Sequence, residues 1–341
     1  MVASFEPGVL PFSSLRKPIR LGLVGEDGRS YRFIVKAGED LRQDQRVEQL
    51  FQICNDVFGR CPGPRRGLGL RTYEVLPLSA KLGLIQFVPR SLPLKEVMGT
   101  VEGGRVALEQ ATKAYSQGLE KLTGERSLQQ ACLNTWRLED RQVGDNWEAA
   151  TGRAEDTVLR RALLGLSYSH EGFFTLRKNF VQSFAVVSAL QWLLGIGDRH
   201  LSNYLVELST GRLVTIDFGY SFGVATSFLP VPELVPLRLT PQLLGVMAPL
   251  GTAGPFREVL AHSLSALRAE PEVLLAALET FVQEPTLDWG ALARREARRA
   301  GQESGQGLET FTRGRVGVAR DKLEGGHPSV ITARSGSTVG L

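Results

Sequence analysis

The sequence predicts an α+β protein in two parts. Residues 1–89 should form a small antiparallel sheet, residues 90–334 a mainly helical part, and residues 335–341 an unstructured tail. Three observations carry this. Short apolar or alternating runs bounded by turn residues occupy 20–24, 31–36, 71–76 and 82–88. After about residue 155, apolar residues recur at three- and four-residue steps. Between the helical runs lies LGIGDRHLSNYLVELSTGRLVTIDFG (194–219), where a Gly-x-Gly turn and a short strand each end at an aspartate. A chain of 341 residues allows one large or two medium domains with a substantial core.

Composition narrows the classes. Hydrophobic residues at 43% and charged residues at 22% are ordinary for a globular protein. A net charge of +4 and a pI near 9.0 are too mild to argue for nucleic-acid binding. Cys54, Cys61 and Cys132 are odd in number and form no CxxC pair, which fits a reducing compartment without a disulfide framework or zinc site. The Met1 end lacks a secretory pattern. Residues 179–197 carry no charge, but Asn179, Gln182, Ser183, Ser188 and Gln191 argue against a lipid-facing helix. With Phe180, Phe184, Val187, Leu190 and Leu194 at helical spacing, the stretch reads as a buried helix leading to Asp198.

In chain order, 20–24 and 31–36 form a hairpin across Gly25-Glu26-Asp27-Gly28. Ser13 and Ser14 precede it as a polar turn. Lys36 ends the second strand among Phe33, Ile34 and Val35, and there needs an anionic partner. Phosphates are one candidate, and Glu39 or Asp44 at the start of the next helix are others. That helix, 40–58, places Val47, Leu50, Phe51, Cys54, Val57 and Phe58 on one face. A Pro/Gly/Arg loop covers 61–70, two more strands follow, and Pro89 ends the pairing. Residues 99–153 show helical character at 106–122 but otherwise no clear period, and read as an irregular insertion. Helices are expected at 155–166, 173–194, 241–249, 256–268, 272–283 and 316–323. Arg294, Arg295, Arg298 and Arg299 read as a solvated basic face, and 301–307 as a flexible break.

The chemistry concentrates in 194–219. Asp198 is followed five positions later by Asn203, and Asp217 opens an Asp-Phe-Gly triplet. Phosphoryl transfer needs one carboxylate at the acceptor hydroxyl, and an amide oxygen and second carboxylate for magnesium. Protein kinases space these groups in this way, with the order His-Arg-Asp where this chain reads Asp198-Arg199-His200. As a carboxylate neighbour, His200 can offer a hydrogen bond to developing charge or serve as a satisfied structural residue.

That reversed order, in GDRHLSN followed by IDFG, resembles the phosphatidylinositol-3-kinase-related protein kinase family. FIVKAGEDLRQDQRVEQLF (33–51) and FLPVPELVPLRLT (228–240) look like the branch of that family that acts in DNA repair. The similarity runs from about Phe5 to Thr332 and is thin between Gly99 and Arg153. The resemblance implies a two-lobed protein-kinase-like fold of the PI3/PI4-kinase type. It implies ATP and Mg2+ as cofactors, with Asn203 and Asp217 holding the metal. Asp198, His200 and Lys36 take catalytic roles, with Asp44 as the residue that holds Lys36. It places Ser14, Glu39, Tyr73, Gln86, Phe87, Val88, Leu205 and Ile216 around the nucleotide, with Phe87 against the adenine where relatives often carry Trp. It also implies protein substrates at Ser/Thr-Gln sites, non-homologous end joining in the nucleus, and Ku and DNA ends as partners through regions outside this chain.

The segment 218–237 separates substrate classes. It contains no Lys or Arg and one acid, Glu233. Lipid kinases of the superfamily hold inositol phosphates with basic residues there. A loop of Phe222, Val224, Phe228, Leu229, Val231, Leu234 and Val235 offers no such charge and suits a peptide. Tyr220 stands where close relatives often have His. The end, RSGSTVGL, does not resemble the family's short helical cap, so the sequence reads as a fragment or truncated product. A lipid kinase and a non-catalytic scaffold remain the alternatives.

Overall fold

The computed structural model describes residues 1–12, 17–61, 68–225, 229, 233, 237–282 and 307–326. Their contacts divide into two units. One comprises Met1–Pro89, Asp217–Gly219 and Ser263–Leu341, the other Arg90–Ile216 and Tyr220–His262. Ser14, the Pro/Gly/Arg loop at 62–67, Phe228, Val231, Leu234, Val235, the four-arginine cluster, the 301–306 break and the tail lie outside the described residues.

The first unit is built on the predicted hairpin. β3 (Ile19–Gly25) and β4 (Ser30–Ala37) pair antiparallel, turned by a Gly28 N–H to Gly25 carbonyl bond of 2.9 Å. Gly28 has φ 73°, a conformation that favours glycine. β1 (Val2–Phe5) and β2 (Leu10–Pro11) add to β3 and were not legible, because every residue in both is exposed and leaves no burial pattern. β5 (Val75–Ser79) and β6 (Leu82–Gln86) complete the order β1-β3-β4-β6-β5, with β2 also on β3.

The predicted strand at 71–76 begins only at Val75, and side chains explain the delay. Tyr73 N–H donates to Glu48 Oε2 at 3.1 Å, and Glu74 N–H donates to Gln86 Oε1 at 3.0 Å. Two donors are thus diverted from strand pairing. The helix expected at 40–58 is α1 (Arg42–Arg60), and its predicted apolar face is buried. Asp44 and Glu48 share that buried face, which the apolar pattern did not suggest. α1 packs on β5 and on a C-terminal helix described below.

In the second unit, residues 99–153 are not irregular. α2 (Leu94–Gly99), α3 (Gly104–Thr123), α4 (Leu128–Leu133) and α5 (Asp140–Thr151) run through the region. α3 buries only Gly104 and Leu119, α4 only Ala131 and α5 only Ala150, so the apolar period is faint. A capping box at Glu139 and Gln142 starts α5, and Tyr115 meets Trp147 edge to face at 5.7 Å.

α6 (Val158–Gly165) leads to α7 (His170–Leu194), which is capped where Ser169 Oγ accepts the Gly172 N–H at 3.0 Å. α7 buries Phe180 and Phe184, and Phe184 stacks at 5.4 Å on Phe256. Beside it, β7 (Ser91–Pro93), β8 (Tyr204–Glu207) and β9 (Leu213–Thr215) form a three-stranded sheet in that order. The remaining helices are α8 (Pro241–Met247), α9 (Pro255–Ala269), α10 (Pro271–Val282) and α11 (Gly307–Leu323).

α10 and α11 belong to the first unit, although chain order alone would assign them to the helical part. α10 packs on α1, where Arg46 lies over the Phe281 ring at 5.2 Å, and α11 packs on α10. The last helix starts at Gly307, earlier than the expected 316. Among the described residues no helix is long and apolar enough to cross a membrane, and the three cysteines are free thiols.

Candidate active site

The candidate residues fall into two groups, one in each unit. In the first, β4 carries Lys36 to the end of the sheet, where its Nζ meets Glu39 Oε2 at 2.8 Å. Asp44 was the expected holder of this lysine, and the structure corrects that: the direct partner is Glu39. The reason is local. Glu39 lies three residues on, in the turn after β4, whereas the Asp44 carboxylate accepts the Phe218 N–H at 3.3 Å. Asp44 acts on Lys36 through charge. Burial disfavours the ammonium, but the Glu39 hydrogen bond and the charges of Asp44, Glu39 and Asp217 outweigh it and raise the Lys36 pKa. Burial pushes Asp44 up to about 6, with Lys36 opposing the rise and Asp217 adding to it.

α1 also fixes the Asp217-Phe218-Gly219 turn. Gln43 Nε2 donates to the Phe218 carbonyl at 2.7 Å and to the Gly219 carbonyl at 3.2 Å. Phe218 is fully buried and meets Phe51 edge to face at 5.5 Å. With this anchor, Asp217 adopts φ 63° and stays exposed. Left-handed backbone at a non-glycine residue costs energy, and Asp tolerates it better than most. Gln43 was not a predicted site residue; its spacing from the triplet in sequence hides the contact. One turn along α1, burial drives the Glu48 carboxyl well above its ordinary range, and its Oε2 holds the Tyr73 backbone. Tyr73 itself is buried.

At the end of β6 the ladder is interrupted. Gln86 N–H donates to the Glu74 carbonyl at 2.8 Å, but Glu74 N–H returns to the Gln86 side chain at 3.0 Å, not to its carbonyl. Phe87 N–H is taken by the Arg32 carbonyl at 2.8 Å. The Phe87 ring is half-buried, with the Arg20 guanidinium 5.3 Å from its centroid, so it is not a core aromatic. Val88 is buried.

In the second unit, α7 ends at Gly195 in the left-handed region with φ 57°. A Cβ there would lie 2.5 Å from the Gly223 nitrogen, so the position needs glycine on both counts. Asp198 also has φ 57°. Asn203 Nδ2 donates to the Asp198 carbonyl at 2.9 Å, which gives the five-residue spacing a structural meaning. Asn203 is held in turn at its own carbonyl by the Ile216 N–H at 3.1 Å. Its engaged nitrogen leaves Oδ1 as the hard donor of that side chain.

Arg199 is buried and bonds the Gly197 carbonyl at 2.7 Å and the Ile216 carbonyl at 2.9 Å, stapling the turn to the end of β9. Nothing in the motif had assigned it that work. His200 is exposed, and its Nδ1 accepts the Ser202 N–H at 3.3 Å, so Nε2 carries the proton in the neutral ring. Leu205 on β8 pairs with Val214, and Leu205 and Ile216 are half-buried. Both candidate carboxylates, Asp198 and Asp217, sit in the sparse left-handed region, where strain gathers at functional sites. Among the described residues no cluster of three or more His, Cys, Asp or Glu side chains could hold a metal by itself.

Known proteins share this arrangement of sequence and fold. The family described as phosphatidylinositol 3- and 4-kinase matches residues 30–291. The DNA-dependent protein kinase catalytic subunit of Gallus gallus is 36% identical over 342 residues, covering 97% of this chain and 8% of that protein. The Xenopus laevis protein of the same name is 35% identical over 344 residues, again with 97% and 8% covered. Serine/threonine-protein kinase mTor of Drosophila melanogaster is 33% identical over 282 residues, 82% of this chain and 11% of that protein. Among solved structures, the FAT and kinase domain of CtTel1 superposes with a TM-score of 0.74 at 27% identity, over 99% of this chain and 23% of that one. The chain thus spans 8% of the length of the first two relatives.

Proposed function

The chain belongs to the phosphatidylinositol 3- and 4-kinase family, and on that premise we propose that it is a serine/threonine protein kinase domain that uses ATP and Mg2+. The observation that carries this is the α1 anchor. A single helix holds the Asp217-Phe218-Gly219 backbone through Gln43 and Asp44, and Asp217 acts by charge on the strand lysine Lys36. A cation-binding aspartate and a phosphate-binding ammonium in one electrostatic unit are what polyphosphate binding requires.

In this reading Lys36, kept in place by Glu39, binds nucleotide phosphates. Asp198 orients or deprotonates the acceptor hydroxyl, and His200 offers Nε2–H to the charge that develops on the transferred group. The Gln86 carbonyl, unclaimed by Glu74, is the acceptor for the adenine amino group; Phe87, Val88, Tyr73, Leu205 and Ile216 are the other nucleotide contacts that the resemblance implies, and Ser14, its phosphate contact, lies outside the described residues. The donors fit magnesium: Asp217 and Asn203 supply a carboxylate and an amide oxygen, and magnesium is commonly held by one or two carboxylates with the rest of its shell from substrate phosphates and water. When bound, the ion neutralises phosphate charge.

The names of the relatives support protein as the acceptor, and the segment 218–237, without Lys or Arg, supports a peptide over an inositol phosphate. Ser/Thr-Gln sites, double-strand-break repair by end joining, a nuclear location, and Ku and DNA ends as partners of regions outside this chain complete the proposal. The test supplies the 341-residue chain with Mg-ATP labelled at the γ-phosphate, a Ser-Gln peptide, and phosphatidylinositol vesicles. Label should enter the peptide. Label in lipid alone, or no transfer together with no Mg-ATP shift in melting temperature, overturns the reading.

A further inference from the structure

We propose that Glu233 is a positioning residue for Asp198, a latch by which the segment after Gly219 holds the catalytic turn; this rests on the kinase reading above. One bond of the latch has clear geometry. Asp198 N–H donates to Glu233 Oε2 at 2.9 Å. A carboxylate acceptor makes this a charge-assisted hydrogen bond, of the stronger kind.

The backbone it holds is one that needs holding. Asp198 has φ 57°, and left-handed conformations at such residues persist only where surrounding structure fixes them. The carboxylate is lodged against the Gly-x-Gly turn: a Cβ at Gly197 would fall 2.6 Å from Glu233 Oε2 and 2.2 Å from the Ala225 Cβ. The second glycine of that turn therefore makes room for the latch.

The same turn is stapled from its other side. Arg199 Nε bonds the Gly197 carbonyl at 2.7 Å, and Arg238 reaches the Arg199 carbonyl at 3.4 Å. Glu233 lies close enough to act by charge on Arg238 and on the buried Tyr204. It is the only charged residue between Gly219 and Leu237, and that charge faces inward to the catalytic turn. The rest of the 219–237 sequence is neutral, and the placement of Glu233 becomes a condition for the orientation of Asp198.

The bland alternative is that Glu233 merely satisfies a buried N–H. Peptide phosphorylation by wild type, Glu233→Ala, Glu233→Gln and Glu233→Asp, each with its melting temperature with and without Mg-ATP, separates the two. Glu233→Ala should lower kcat by about 10²-fold, the scale of an ångström-size misplacement of a reacting group. KM for ATP and the Mg-ATP melting shift should stay within about 2-fold, because the bond falls on the Asp198 backbone, whose side chain is assigned to the acceptor hydroxyl and not to the nucleotide. Glu233→Gln keeps an oxygen at the same reach but not the charge, and should restore kcat to within about 10-fold of wild type. If Glu233→Ala does not fold, Glu233→Asp, with its oxygen drawn back by one methylene, should show the same split with a loss of about 10-fold. A kcat in Glu233→Ala within 2-fold of wild type, a Gln variant as inactive as the Ala variant, or parallel loss of kcat and ATP binding would overturn the latch. Wild type that neither transfers phosphate nor responds to Mg-ATP would instead overturn the kinase reading itself.

Discussion

Replacing Asp44 by Asn should stabilise the nucleotide-free protein while impairing its activity. The carboxyl is buried, and burial raises its pKa from 3.8 to about 6 despite Lys36. A folded pKa above the unfolded one means that the native state binds the proton more tightly. Stability contributed by this group is therefore present at low pH, declines as pH rises from about 4 to about 6, and is flat above. At pH 7 the ionised carboxylate costs on the order of 3 kcal/mol relative to a neutral group, and at pH 5 roughly half of that. Asn is neutral at both, has nearly the same shape, and its Oδ1 still accepts the Phe218 N–H. With an unfolding entropy of about 2.1 cal/mol/K per residue, the gain corresponds to a rise in Tm of ~4 °C at pH 7 and ~2 °C at pH 5. Thermal melts of both proteins between pH 5 and pH 8 make the measurement. Activity should move the other way, through a higher KM for ATP, because Lys36 loses a countercharge. An Asp44→Asn protein that melts below wild type at pH 7, or a difference that does not shrink toward pH 5, would show that the pairing with Lys36 outweighs desolvation and that the carboxylate is a net stabiliser.

Two further outcomes follow from the geometry. Asp217→Ala and Asp217→Asn should both lower phosphate transfer by at least about 10³-fold, but the Ala protein should melt lower, since Asn tolerates φ 63° while Ala loses ~1 kcal/mol there; equal melting, or retained transfer in either, would contradict the placement of Asp217. Burial pushes the Cys54 thiol up to about 12, so at pH 8 iodoacetamide should modify Cys61 and leave Cys54 unlabelled in the native protein, as peptide mass mapping would show.

Much of the fold was legible because its signals are local. The hairpin at β3 and β4, the apolar face of α1 and the buried stretch of α7 each announce themselves through spacing within a few residues. What was not legible has physical causes of two kinds. β1 and β2 bury nothing, and α3 to α5 bury one or two residues each, so no apolar period marks them. β5 starts late because Glu48 and Gln86 side chains divert two strand donors, and such competition depends on residues far apart in the chain.

The candidate site divides along the same line. The acids and the amide could be singled out as candidates from residue type and spacing alone: Asn203 follows Asp198 by five positions, a spacing that one side-chain bond closes, and Asp217 opens a recognisable triplet. Gln43, Arg199 and Glu233 were missed as supports, and Asp44 was expected only at Lys36, because all four act through backbone groups, which no residue type advertises. Gln43 and Asp44 grip the Phe218 amide and carbonyl from α1, Arg199 grips two carbonyls, and Glu233 grips the Asp198 amide. Lys36 shows the consequence most clearly. The family resemblance implied Asp44 as its holder, yet the short contact is made by Glu39, three residues along the chain, at 2.8 Å, while the Asp44 carboxylate accepts the Phe218 amide. The two acids are therefore not interchangeable partners: one carries the direct ion pair, and the other carries the Asp-Phe-Gly backbone and adds its charge at a distance. Removing Glu39 should loosen the lysine, whereas removing the charge on Asp44 should spare the turn.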